Sequence, residues 1–169
     1  MKKGKAQDMS HIIAEMIKHA GLPFLEILLQ MYNSILETGN TPENWHVTIF
    51  RMLPKNGDLS NVNNWRPIAV LPILYKIFSK LIYARISPIL ESCQSNDQFG
   101  FQKDRRIDDV LGILENMVGK TSEWNLPLWI CSLDLRKAFD RVLHQPLFEI
   151  LRHQNIHDGY LHLLGVLYK

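Results

Sequence analysis

Apolar residues recur with helical spacing over six stretches of the chain and crowd into short runs over three others. Ile12, Ile13, Met16 and Ile17 form the first stripe, with Ser10 placed to cap a helix starting at His11 and Gly21 placed to stop it. Pro23 suits the first turn of a second helix, carried by Phe24, Ile27, Leu28, Met31, Tyr32 and Ile35 and ended by Gly39. His46–Leu53 is short and rich in β-branched and aromatic residues, so it predicts a strand. The turn-rich stretch 54–64 follows, and Arg66–Leu71 resumes as an extended segment, because a residue before proline is pushed towards β geometry. Pro72 opens a third helix whose apolar positions are Ile73, Leu74, Ile77, Phe78, Leu81, Ile82 and Ile86, with Pro88 bending or ending it. A fourth helix is expected from Ile107 to Met117, a buried strand over Leu126–Leu133, and two last helices at Pro146–His153 and Tyr160–Tyr168.

Helices outnumber strands in this pattern, and there is no internal repeat or low-complexity tract. The expected class is α+β. The 169 residues suffice for one domain with a real core and are marginal for two. Hydrophobic residues make up 46% and charged residues 21%, which excludes disordered and fibrous classes. No run of about 18 apolar residues exists, so no membrane span is expected. No apolar stretch follows the basic start to make a signal peptide. Cys93 and Cys131 make no disulfide framework; reduced thiols and an intracellular protein are the expectation, with nucleus and cytoplasm unresolved.

The net charge of +2 conceals an asymmetry. Residues 1–50 sum to −1, residues 51–106 to +5 and residues 107–169 to −2. A basic middle followed by an acidic end suits a polyanion groove beside a metal-binding carboxylate, although an ordinary solvated face gives the same totals. The sharpest local chemistry is Asp134 followed by Asp140 in SLDLRKAFD. An aspartate at the end of a buried strand projects a carboxylate from a rigid edge, which suits a hard, oxygen-seeking cation such as Mg²⁺; the same residue also caps turns. His144, His153, His157 and His162 crowd the end without the ligand spacing of a zinc site.

Four strings then stand in order: LPKNGD (53–58), NNWRPIAVLPILYKIFSKLIYARI (63–86), DQFGF (97–101) and LDLRKAFDRVLH (133–144). This order and spacing resemble the reverse transcriptase domain of non-LTR retrotransposons, and the resemblance covers nearly the whole chain. It implies a helix-rich partial right-hand polymerase, with fingers and an incomplete palm. The expected organisation is an N-terminal helical segment (1–45), a fingers-like region (46–125), and the first palm strand with following helices (126–169). It implies RNA-directed DNA synthesis with Mg²⁺, an RNA template, a DNA primer and deoxynucleoside triphosphates. Asp134 matches the first catalytic aspartate and metal ligand, and the backbone carbonyl of Leu135 a further ligand. Phe139 matches the aromatic gate against ribose 2′ hydroxyls. Lys55 and Arg66 match the basic finger positions for the incoming triphosphate, where fixed positive charge on phosphate oxygens is what the chemistry needs. Gln98, Gly100 and Phe101 match the third finger motif, with packing and template contact as their role. Lys76, Lys80 and Arg85 are candidates for template phosphates, or simply a helix's wet face.

The sequence departs from that pattern in places. Gln102-Lys103-Asp104-Arg105-Arg106 lacks the glycine of the family's basic turn, and Gln7 and His11 replace a favoured proline and glycine. No Ala-Asp-Asp string occurs, and the later palm motifs are missing. One carboxylate makes a poor two-metal site, so the chain alone is expected to be inactive, with weak Mg²⁺ binding. The alternative is a catalytically dead nucleic-acid-binding module or a structural remnant of a mobile element. Nothing in the sequence points to a homo-oligomer.

Overall fold

Phe78 lies at the centre of the well-packed region among the described residues. Its ring is 1% exposed. The Tyr32 ring sits 5.2 Å away and Trp45 5.5 Å away, centroid to centroid, and Trp45 meets Tyr75 edge-on at 5.4 Å. Burying one such aromatic contributes roughly 1.5–3 kcal/mol. The computed structural model describes residues 12–168. Its helices are α1 (Ala14–His19), α2 (Leu22–Thr38), α3 (Ile73–Ser92), α4 (Ile107–Glu123), α5 (His144–His153) and α6 (Asp158–Leu167). Its strands are β1 (Ile49–Pro54) and β2 (Trp65–Val70), paired antiparallel. The chain divides into two units, residues up to 86 with those from 156 onward, and residues 87–155. Among the described residues this is a helix-rich α+β structure with one two-stranded sheet.

In the first unit α2, α3 and α6 supply the core. Leu28, Tyr32 and Ile35 of α2 recur at three- and four-residue steps, and Ile73, Phe78, Ile82 and Ile86 do so on α3. Leu161 and Leu163 of α6 and Ile156 before it are also buried. The Tyr32 hydroxyl donates to the Leu74 carbonyl at 2.9 Å, and burial pushes its pKa up to about 12. Gly39 ends α2 with φ +71, as expected of a left-handed stop. A Cβ there would come within 3.2 Å of His162 Nε2, so glycine also lets α6 approach. Tyr75, Ser79, Ile82, Tyr83, Ile86, Leu164, Leu167 and Tyr168 line a cavity of about 350 Å³.

Several boundaries differ from the sequence reading. The Ser10 cap and the start at His11 lie outside the described residues. Gly21 does not stop α1; Ala20 leaves the helix in an extended conformation and Gly21 is the N-cap of α2, with Pro23 in the first turn as expected. Pro88 does not end α3, which runs on to Ser92. The Ala84 carbonyl deprived of its helical donor lies at an exposed position where water can serve it. Ser92 Oγ then closes the last turn on the Ile89 carbonyl at 2.7 Å.

The second unit has no buried residue. The α4 stripe of Ile107, Val110, Leu111, Leu114, Met117 and Val118 forms as helix, six residues longer than expected, yet faces outward. The strand expected over Leu126–Leu133 does not form; the segment is irregular and Trp129 is 93% exposed. A strand is defined by its ladder, and among the described residues the only strands are β1 and β2, each paired with the other. Among the described residues five that are not glycine, Phe101, Asp104, Asn125, Lys137 and Asn155, adopt positive φ, all of them in this unit.

Candidate functional site

The β1–β2 hairpin positions the first group of candidates. Ladder partners run from Ile49 with Val70 to Pro54 with Trp65, and Leu53 faces Arg66. The Lys55 N–H donates to the Asn64 carbonyl at 2.7 Å, extending the register by one pair. Side chains alternate along each strand, so Lys55 and Arg66 stand on the same face, diagonally across the ladder. Pro54 and Pro67 fall on the alternate pairs that exchange no ladder bonds, which is why both are tolerated.

The loop that joins the strands is tied by its own side chains. Asp58 accepts from the Ser60 N–H (2.9 Å) and hydroxyl (2.6 Å), and these bonds hold its carboxyl below the usual range. Asn64 Nδ2 donates to the Asp58 carbonyl at 2.6 Å and the Trp65 indole to the Leu59 carbonyl at 2.9 Å. Gly57 takes φ +120, a conformation that strains any residue with a Cβ, and a Cβ there would also stand 3.2 Å from Asn64 Nδ2. The Lys55 ammonium donates to the Asn63 carbonyl at 3.1 Å and is otherwise open to solvent.

On α3, Lys76 and Lys80 are one turn apart and share a face. Arg85 lies about 140° around the helix from Lys80, given 3.6 residues per turn, so the three do not present one surface.

The second group belongs to the other unit. Gln98 Nε2 donates to the Gly100 carbonyl at 2.9 Å, closing the turn that leads to Phe101. Phe101 takes φ +61 and is 92% exposed, yet its ring meets Phe139 edge-on at 6.1 Å. Two candidates 38 positions apart are thus brought together. Asp104 takes φ +60 in the stretch that lacks the expected glycine, a conformation glycine adopts without strain. Arg105 stacks over the Phe99 ring at 5.0 Å and donates to the Asn96 carbonyl, which braces the turn.

Asp134 and Leu135 lie in the exposed, irregular stretch before the short 3₁₀ turn Phe139–Arg141, where Asp140 sits. Among the described residues no three His, Cys, Asp or Glu side chains gather as a metal site. Asp134 by itself therefore does not fit a closed Mg²⁺ site, which takes its oxygens from several groups. His157 instead caps α6, its Nδ1 accepting from the Gly159 N–H at 3.1 Å. Cys93 and Cys131 are exposed free thiols.

Arg51 was counted in the sequence only as charge. Its place two residues before Leu53 and four before Lys55 puts it on the same hairpin face as Lys55 and Arg66. The period-two spacing to Lys55 was the available signal.

The family described as reverse transcriptase (RNA-dependent DNA polymerase) matches residues 53–165. An uncharacterized 149 kDa protein of transposon TX1 from Xenopus laevis is 32% identical over 130 residues, covering 77% of this chain and 10% of the relative. A retrovirus-related Pol polyprotein of the R2 retrotransposable element of Popillia japonica is 29% identical over 124 residues, covering 72% and 17%. The RNA-directed DNA polymerase of the mobile element jockey from Drosophila melanogaster is 30% identical over 126 residues, covering 73% and 14%. The chain thus spans between 10% and 17% of the length of these relatives. No helix of the described residues is long and apolar enough to cross a membrane.

Proposed function

The chain belongs to the reverse transcriptase family, and on that footing we propose that it carries the fingers and first palm motif of an RNA-directed DNA polymerase of a non-LTR retrotransposon. The observation that carries this reading is the family match across 53–165, the interval that holds Lys55, Arg66, Phe101, Asp134 and Phe139. Lys55 and Arg66, on one face of a braced hairpin, hold the triphosphate of an incoming deoxynucleotide. Arg66 offers a planar fork that binds two oxygens at once, and Lys55 a point charge. Phe139, propped edge-on by Phe101, gates the sugar, and Gln98 and Gly100 fix the turn that places Phe101. Lys76 and Lys80 supply unspecific attraction to the RNA template and DNA primer.

Asp134 contributes one carboxylate, with the Leu135 carbonyl, towards a divalent cation. Such a cation neutralises charge on phosphate oxygens when its full ligand set is present. On this reading Asp134 is the one matched carboxylate among the described residues, so the 169-residue polypeptide is expected to bind Mg²⁺ weakly and to extend no primer.

Primer extension on an RNA template with all four deoxynucleoside triphosphates and Mg²⁺ tests the inactivity. Template-dependent incorporation that disappears in Asp134→Ala would overturn it. Retention of labelled dTTP in the presence of template and primer tests the triphosphate role. Arg66→Ala is expected to weaken it by about tenfold or more, the worth of a charge-assisted hydrogen bond. Equal retention by wild type and Arg66→Ala removes Arg66 from the site.

A further inference from the structure

We propose that Asn56 is a modification site, at which the chain converts its own side-chain amide to aspartate and isoaspartate with the Gly57 nitrogen as nucleophile. Asn-Gly occurs once in the sequence, in the loop between β1 and β2. Both residues are exposed and form a bend just after β1. Gly57 has no Cβ to screen its nitrogen from the side chain before it, and its φ of +120 is one that residues with a Cβ rarely adopt.

The other asparagines of this loop are engaged. Asn61 Oδ1 accepts from the Asn63 N–H at 3.0 Å and from Asn63 Nδ2 at 3.2 Å, and Asn64 Nδ2 donates to the Asp58 carbonyl at 2.6 Å. Neither Asn56 nor the Gly57 N–H makes a hydrogen bond among the described residues. The Asp58 carboxylate, next along the chain, is taken up by the Ser60 N–H and hydroxyl and does not hold the Gly57 N–H. The one Asp-Gly pair of the sequence gives the contrast. It opens α6, and the Gly159 N–H is donated to His157 Nδ1 at 3.1 Å, so that nitrogen is not free to attack the side chain before it.

In the reaction the Gly57 nitrogen gives up its proton and bonds to Asn56 Cγ. The Cγ–Nδ2 bond breaks, and ammonia leaves with that proton. Water then opens the cyclic imide. Cleavage of the new nitrogen–Cγ bond leaves aspartate. Cleavage at the main-chain carbonyl leaves isoaspartate, whose main chain runs through Cβ and is one methylene longer. One amide and one water are consumed, one carboxylate and one ammonium are produced, and no oxidant, reductant or ligand is needed. The net charge falls from +2 to +1. The extra methylene enters beside Lys55, whose N–H closes the hairpin on the Asn64 carbonyl at 2.7 Å.

The test incubates the folded 169-residue polypeptide at neutral and mildly alkaline pH beside a synthetic peptide of residues 53–60. Peptide mapping by mass spectrometry locates each conversion. Methyl transfer from S-adenosylmethionine by an isoaspartyl methyltransferase counts the isoaspartate. Asn56 in the folded chain is expected to convert within about fivefold of the peptide's rate, because a loop that opens at little cost protects little. The rate should rise with pH, since the nitrogen must lose a proton. Asn61, Asn63 and Asn64 are expected to convert later, and Asn56→Gln to remove the methyl label from this loop. Circular dichroism before and after incubation checks that the fold is intact. Slowing at Asn56 beyond about fivefold, earlier conversion at Asn61, Asn63 or Asn64, or undiminished label in Asn56→Gln would each overturn the proposal.

Discussion

The two units of this chain carry similar apolar stripes and make opposite use of them. On α3 the stripe is closed over by α2 and α6, and Phe78, Ile82 and Ile86 leave solvent. On α4 an equally regular stripe stays exposed from Ile107 to Val118, and no residue of the unit that contains it is buried. Helical periodicity thus states which face is ready for burial. Whether burial happens depends on a second surface arriving, and that is where most helix stability comes from. The unit without a core also holds the five non-glycine positive φ angles found among the described residues and the unladdered 126–135 stretch. It is also the unit that carries Asp134 and Phe139.

The sharpest way to break the contrast is to cut equivalent side chains on each side of it. Phe78→Ala removes a fully enclosed ring together with its contacts to Tyr32 and Trp45, and is expected to cost about 3–5 kcal/mol. That approaches the whole stability of a small domain. Leu114→Ala on α4 removes an exposed side chain and is expected to stay within about 0.5 kcal/mol. Denaturant unfolding followed by circular dichroism reads both. A Leu114→Ala penalty as large as that of Phe78→Ala would mean that the α4 stripe is buried in solution.

Backbone protection sharpens the same contrast at lower amplitude. Amides in the middle of α2 and α3 sit in helical ladders that pack on the core, and should exchange only through larger openings. Amides from Leu128 to Leu135 have no ladder partner among the described residues and should exchange at rates close to those of an unstructured peptide. Hydrogen exchange read by mass spectrometry separates them. Protection over 128–133 comparable to α3 would show that a strand forms there after all.

Much of this was legible in the residues, for identifiable reasons. The two strands were readable as a β-rich run at His46–Leu53 and an extended segment at Arg66–Leu71 on either side of a turn-rich loop, and the structure adds their antiparallel pairing and register. Lys55 and Arg66 were found as motif positions and share a face as a consequence of alternation. Much of the first unit's core followed from the stripes, but Trp45, on a 3₁₀ turn, and Ile156, just before α6, lie outside any periodic segment, so no pattern marks them as buried. The strand at Leu126–Leu133 misled because an apolar β-prone run records what a segment would do beside a partner, and carries no information on whether one is there. The contact between Phe101 and Phe139 was invisible because it joins two loops across 38 positions, with no periodicity between them. Arg51 was overlooked because charge was summed by region rather than followed along a strand face.

The smallest expected effect concerns the buried side of the comparison and is a matter of pH. Tyr32 ionises near 10.0 when exposed, and burial in the first unit pushes that to about 12. Between those values the unfolded chain has given up the proton while the folded chain still holds it. The folded state then binds more protons, so its stability falls as pH rises through that window; below pH 10 the contribution is complete, and above about 12 the loss levels off. Other tyrosines and lysines titrate in the same range, so the informative quantity is the difference between wild type and Tyr32→Phe. The variant loses the hydroxyl's hydrogen bond to the Leu74 carbonyl, about 0.5–1.5 kcal/mol at neutral pH, and with it the proton. Its stability curve should therefore lie below wild type at pH 7 and close on it as pH climbs towards 12. Parallel curves from pH 8 to 12 would show that the Tyr32 hydroxyl is as wet as any on the surface, and the packing around Phe78 looser than its 1% exposure implies.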